Sequence, residues 1–444
     1  MKASNIILFL IGLFSMTQVR IVGAIGVSEI PIYISAPFLF LLDFRSLRRL
    51  GFFPLLSLIL LTCLGCVISS LHNHTYYIEA IKGLATPYSM FAVTVFLHHF
   101  LKSNLDGMKW LLTGSAFTLI LNIFVLPMDA ELQAFAQGAE GFAAGKIIAE
   151  SSTIFWISRI QPLITLPISA WYTKTPILYS VGALIGFVVF ALVSTSSGRA
   201  AALWCALAAT LIVMCRKKRT NMIAIKRHAV FLLFCIMMMV GLFTCVYKYG
   251  AEQNWFGEEA YEKYKRQSKS GNSMLRLLMS GRAETFIGFF ACLDKPIVGH
   301  GPWARDTNGY VEDFLRDYGA YEDFQNLVQR RMYWEGRGYS TVGILPGHSH
   351  VITFWLWYGV FGLLLWLYVL WLIYKFFTQY VDVVPQWFGY FAITISSSLW
   401  SIFFSPYSQR ILFPLLFCAL IYVRNIANGR LCLSPEMQRE ALKY

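Results

Sequence analysis

The sequence predicts an all-α polytopic membrane protein, and three observations carry that prediction. Hydrophobic residues fill 57% of the 444 positions and charged residues only 14%, where soluble domains carry roughly 25% charged residues. Apolar runs recur at the length of a bilayer crossing, about 20 residues. Lys and Arg gather on alternate connecting segments, as the positive-inside rule requires. Soluble globular, disordered and fibrous chains are excluded. The net charge of +13 is then explained by orientation in a membrane, with no nucleic-acid partner.

Twelve apolar runs stand between polar breaks, at about 5–17, 28–43, 52–69, 80–100, 109–127, 153–172, 176–194, 200–215, 229–247, 350–374, 387–405 and 409–423. With the N-terminus inside, the inner segments hold eighteen Lys and Arg, and the remaining positions outside one long loop hold six. Twelve spans with both ends inside satisfy that bias. The chain thus divides into spans 1–9 over 1–247, an outer loop over 248–349, spans 10–12 over 350–423, and an inner tail over 424–444. Ser273–Leu293 tempts as another span but carries Arg276, Arg282 and Glu284. Each would cost at least ~2.5 kcal/mol at the bilayer centre, so it is expected as an interfacial or loop helix. Most of the nine cysteines lie in apolar runs, which implies no disulfide framework. Cys63 and Cys66 are expected as small packing residues.

The long loop balances thirteen basic against thirteen acidic residues, unlike the inner segments. Its aromatic content argues against disorder, and Glu258–Gln267 and Val311–Tyr333 have a helical pattern. The loop is expected to fold, mostly as helix, over the outer face of the bundle.

Candidate chemistry concentrates on that outer side. Arg199, in Ser194–Arg199 (STSSGR), either snorkels to lipid headgroups or forms an anion site with helix amides. Arg282 would lie on an apolar stripe with Leu275, Leu278, Phe286 and Phe289, which suits a guanidinium that pairs with a buried acid or awaits an anion. His348, in Leu345–His350 (LPGHSH), opens the tenth span. There the positive helix end favours a neutral imidazole, the form a general base requires, with Ser349 as an early cap. The alternative is an interfacial histidine bonded to water. Arg159, inside a span, and His350, on another face from His348, are further candidates. No acidic cluster suggests a metal site and no Gly-Lys loop suggests a nucleotide. The residues support an outward-facing site for a lipid-anchored, phosphate-bearing substrate.

From His348 the chain reads HSHVITFWLWYGVFG. His, Ser, nine residues, Gly359, two residues and Gly362 resemble the H-[NSQ]-x9-G-x-x-[GTY] signature of the O-antigen ligase and Wzy-type polymerase superfamily. SSGRAAALW around Arg199 is similar to a second family segment. RAETFIGFFACLDKPIVGHG is similar to a third, an arginine helix followed by D-x-P-x-x-G-x-G at Asp294, Pro296, Gly299 and Gly301. The resemblance covers about Leu192–Gly362 by motif and the rest by topology. It implies a GT-C-like glycosyltransferase of the bacterial inner membrane with its site on the periplasmic face. The implied donor is an undecaprenyl-pyrophosphate-linked glycan, and the acceptor is lipid A-core or a lipid-linked repeat unit. By the same resemblance His348 is the catalytic base, and Arg199 and Arg282 hold the pyrophosphate in an inverting, metal-independent reaction without a cofactor. Ser349 stands where Asn is commoner, and Asn308–Tyr339 has no assigned counterpart. The signature does not separate ligase from polymerase or from a transferase to protein. A transporter or flippase of lipid-linked sugars is the reading from a different class, and it would bring paired broken helices.

Overall fold

A computed structural model of the chain describes residues 3–14, 18–20, 24–103, 107–124, 283–318, 349–381, 388–404 and 411–431, with isolated positions between them (105, 248–250, 252, 253, 255, 261, 264, 265, 345, 347, 383 and 384). The described residues are helical apart from one short hairpin. In chain order they form α1 (Ala3–Leu13), β1 (Gln18–Arg20), β2 (Ala24–Gly26), α2 (Glu29–Arg49), α3 (Phe53–His72), α4 (Tyr77–Leu101) and α5 (Gly107–Phe124). Then follow α6 (Ala283–Asp294), α7 (Tyr310–Tyr318), α8 (His350–Tyr358), α9 (Val360–Lys375, continued by a π turn over Phe376–Tyr380), α10 (Phe388–Phe404) and α11 (Leu412–Ala427). The two strands pair antiparallel with Val19 opposite Ile25. Among the described residues four helices are long and apolar enough to cross a membrane: Glu29–Arg49, Phe53–His72, Tyr77–Leu101 and Val360–Tyr380. Of the expected spans, 153–172, 176–194, 200–215 and 229–247 lie outside the described residues.

The bundle is built around α4, which packs against α2, α3 and α11. Its stretch from Ser89 to His98 is buried without interruption. Helices next to it bury one side only. On α2 the positions Ile34, Phe38, Leu41 and Leu42 are exposed, an apolar face suited to lipid. In lipid, apolar side chains gain little by leaving the solvent, so helices associate through close packing of small residues and through hydrogen bonds. α1 and α5 do this with glycine. A Cβ on Gly12 would collide with the Leu111 carbonyl, and one on Gly114 with the Phe9 carbonyl.

Hydrogen bonds close one end of the bundle. The Asp43 carboxylate of α2 accepts from His99 Nδ1 at 2.8 Å and from Lys102 Nζ, both at the end of α4. His98 Nε2 meets Ser46 Oγ at 3.1 Å, and its Nδ1 meets the Tyr422 hydroxyl at 3.0 Å. From α11, Asn425 donates to the Leu50 carbonyl at 2.7 Å and Arg424 to the Gly51 carbonyl at 3.1 Å. Arg45, Arg48, Arg49, Lys102, Arg424 and Arg430 all belong to this basic end. The opposite end, where α3 gives way to α4, receives the segment 283–318.

The tenth span departs from expectation. A continuous helix was expected over 350–374, but Gly359 (φ 65°, ψ −149°) ends α8 after nine residues and starts α9. The two run antiparallel. His350 packs on Trp366 with ring centroids 5.1 Å apart, Phe354 on the same ring at 5.4 Å, and a Cβ on Gly362 would strike the Phe354 carbonyl. α8 therefore runs back along α9 as a short arm. Hydrophobicity alone cannot reveal this break, because both arms are apolar.

The close α1–α5 crossing is tested by Gly114→Leu, which should lower stability by about 1–3 kcal/mol through forced separation of the helices. Leu41→Ala, on the exposed face of α2, should stay within about 0.5 kcal/mol. Thermal unfolding of both variants in detergent checks the contrast.

Candidate functional site

The residues singled out in sequence fall unevenly on the structure. His348, Arg199, Arg282 and Arg159 lie outside the described residues. His350 is described and is fully buried, its ring 5.1 Å from that of Trp366 and 4.8 Å from that of Phe413. What the structure describes is the framework around two of the motifs: α6, which starts one residue after Arg282, and α8, which starts two residues after His348.

Ser349 is the cap of α8, as expected. Its backbone is extended (φ −148°, ψ 136°), and its Oγ accepts from the Ile352 amide at 3.3 Å. That satisfies one of the amides a helix start leaves without an internal partner. The same Oγ donates to the Ile402 carbonyl of α10 at 2.8 Å. Gly347 is held as well, since its carbonyl accepts from the Thr353 hydroxyl at 2.7 Å. The backbone on both sides of position 348 is thus tied to α8, and α8 to α10.

α6 packs on α8 through Ala291 and Cys292 against Ile352, Leu356 and Leu345. Its buried face runs through Ile287, Gly288, Ala291 and Cys292. This differs from the expected stripe. Phe286 is half-buried beside Ile287 and Phe314, and Phe289 is 38% exposed. The apolar side of α6 is broader than one neighbour can cover, so a stripe chosen by spacing alone did not identify the packed face.

The D-x-P-x-x-G-x-G segment locks α6 to α8 and α3. The Pro296 carbonyl accepts from Trp355 Nε1 at 2.8 Å, and the Ile297 carbonyl from the Val360 amide at 3.0 Å. Gly299 has φ +77°, and a Cβ there would lie 2.7 Å from the Leu356 carbonyl and 2.8 Å from the Gly359 amide. Only glycine suits such a position. The next amide, of His300, donates to the Leu356 carbonyl at 2.6 Å. Asp294 accepts from the Tyr310 hydroxyl at 2.6 Å, and Asp306 caps α7 by accepting from the amides of Tyr310 and Val311, each at 2.8 Å. Burial and the bond to Asp294 push the Tyr310 phenol up to about 12, so it stays a donor at neutral pH.

Several residues in this framework carried no weight in the sequence. Asn73, part of an Asn-His-Thr triplet at the end of α3, donates to the Gly299 carbonyl at 3.0 Å and accepts from Lys295 Nζ at 2.8 Å. The triplet is a clamp between α3 and the loop. His300 is buried, and its Nε2–H donates to the Ala291 carbonyl at 2.7 Å. An isolated polar residue gives no sequence signal of such a partner.

Burial pushes the His300 imidazole down from its ordinary value, although its bond to the Ala291 carbonyl, Asp294 and Asp306 act the other way. The folded form therefore binds a proton less readily than the unfolded chain. Its stability is complete above the ordinary histidine range and falls as pH drops below about 6.5. Docking of residues 291–301 should weaken as pH falls below about 6.5, read as faster amide exchange there after correction for intrinsic rates, and His300→Gln should flatten that dependence. Comparison of the chain with models of known families and with curated proteins finds no match.

Proposed function

We propose that this protein is a GT-C-like membrane glycosyltransferase of the O-antigen ligase type, with twelve spans and its active site on the periplasmic face of a bacterial inner membrane. It would move a glycan from undecaprenyl pyrophosphate to a sugar hydroxyl of lipid A-core. One observation carries the reading most: the two motif segments with a described backbone interlock. Gly299 of D-x-P-x-x-G-x-G sits against the Leu356 carbonyl and the Gly359 amide, and Gly359 belongs to the histidine signature. Motifs that matched by chance at separate places in a chain would have no reason to meet backbone to backbone.

In this mechanism His348 takes the proton of the acceptor hydroxyl as its oxygen attacks the anomeric carbon. The bond from that carbon to the pyrophosphate oxygen breaks, and undecaprenyl pyrophosphate leaves with the electron pair. Arg199 and Arg282 hold the pyrophosphate and neutralise its growing charge. Attack opposite the leaving group inverts the anomeric centre. No metal is called for, since two guanidiniums supply the positive charge. A polymerase would run the same step with a lipid-linked repeat unit as acceptor.

A transporter would bring paired helix breaks near the bilayer midplane, whereas the break at Gly359 lies at the start of the spanning helix Val360–Tyr380. The two readings separate on His348. With purified protein, lipid-linked glycan and lipid A-core, His348→Ala should lower transfer by about 10²–10⁴-fold, whereas a transporter would form no product with either protein. A ladder of longer lipid-linked chains without lipid A-core would assign the polymerase instead. Arg199→Lys and Arg282→Lys should each lose activity although the charge remains, because a point charge does not replace a planar fork. Full activity of both at normal membrane levels would rule out the pyrophosphate role.

A further inference from the structure

α6 ends close to the level at which the spanning helix Val360–Tyr380 begins, and among the described residues several of its apolar side chains stay exposed. Val360–Tyr380 spans 21 residues, about 31 Å at the helical rise, close to the roughly 30 Å hydrocarbon core. Val360 therefore marks the hydrocarbon edge at the loop end. Ile297 shares that level, since its carbonyl accepts from the Val360 amide at 3.0 Å. α8 runs back along α9, so Ile352 lies deeper than Val360 by about four residues of rise, roughly 6 Å. Cys292 of α6 reaches that depth, its Sγ 3.7 Å from the Ile352 carbonyl.

The large apolar residues that α6 and its continuation expose are Phe289 and Phe290 (38% each), Leu293 (53%) and Ile297 (71%). On α9, Leu364, Leu367 and Trp371 are also exposed at helical spacing. Tyr76 and Tyr77, at the start of α4, and Trp303 are exposed at the same end, the residue types that mark a membrane–water boundary. Two polar groups of the segment are engaged by the protein: Lys295 binds Asn73, and Asp294 binds Tyr310. α7 borders this surface, with Phe314 packed on Ile287 and its ring centroid 6.3 Å from that of Phe290, and its Asp313–Arg316 pair is exposed.

We propose that Phe289, Phe290, Leu293 and Ile297 form a lipid-contact ledge that seats α6 among the acyl chains and headgroups of the leaflet at the loop end. The ledge would hold α6, and with it the loop, against the membrane surface. This inference does not rest on the proposed reaction, and neither does its test.

The full chain is reconstituted into phosphatidylethanolamine–phosphatidylglycerol vesicles containing a phosphatidylcholine with a diazirine near the top of one acyl chain. Photolabelled peptides are mapped by mass spectrometry, and a parallel sample is footprinted with hydroxyl radicals. The peptide over residues 286–297 should gain lipid adducts several-fold above that over α7, and oxidise several-fold less. Oxidation of Phe289, Phe290 and Leu293 as fast as α7, or lipid adducts no more frequent than on α7, would overturn the ledge.

Discussion

The loop end of this protein depends on one close approach between two backbones. Gly299 meets the turn at Gly359 with no room for a side chain on either residue, and hydrogen bonds from Val360 to Ile297 and from His300 to Leu356 flank that contact. Everything at this end hangs from it. α6 is set against α8, α8 is folded back on α9, and the Asn73 clamp ties the same strand of loop to α3. Backbone groups bonded in this way satisfy donors and acceptors that would be costly to leave bare near lipid.

The opposite end is held by charge and polar side chains. There a buried aspartate faces a histidine and a lysine, and two carbonyls at the α2–α3 turn accept from α11. A charged end can sit in headgroups and water, whereas a loop that reaches below the hydrocarbon edge needs internal hydrogen bonds and an apolar exterior. The loop end also carries polar side-chain bonds, from Asn73, Lys295 and Tyr310, but its closest contact is between backbones. The broken helix belongs to the apolar end, where its free backbone groups are taken up by the loop.

The membrane character and helix positions were legible because hydrophobic length is a strong signal. α2, α3, α4 and α10 sit close to the apolar runs that predicted them. The cap at Ser349 was also legible, since a serine after Pro-Gly and before an apolar run has few other uses. The break at Gly359 was hidden by its apolar flanks. Asn73, Lys295 and His300 were hidden because their partners are backbone carbonyls or residues over two hundred positions away, which no local pattern records. Arg282 was set on a stripe with Phe286 and Phe289, yet α6 buries Ile287 and Ala291, since several of its faces are apolar and spacing cannot choose among them. The motif glycines were read as a family resemblance, and what the structure adds is that Gly299 and Gly359 meet backbone to backbone.

The most direct test of the interlock compares two glycines that share a backbone conformation and differ in surroundings. Gly299 (φ +77°) meets the α8–α9 turn, while Gly309 (φ +79°) has open space around it. Both pay a similar conformational cost on replacement by alanine, so any difference reports the contact itself. Amide exchange of the peptides over 295–301 and 355–362 should stay slow in wild type and in Gly309→Ala, and become fast in Gly299→Ala. Equal, slow exchange in both variants would contradict the claim that this approach holds the loop end together.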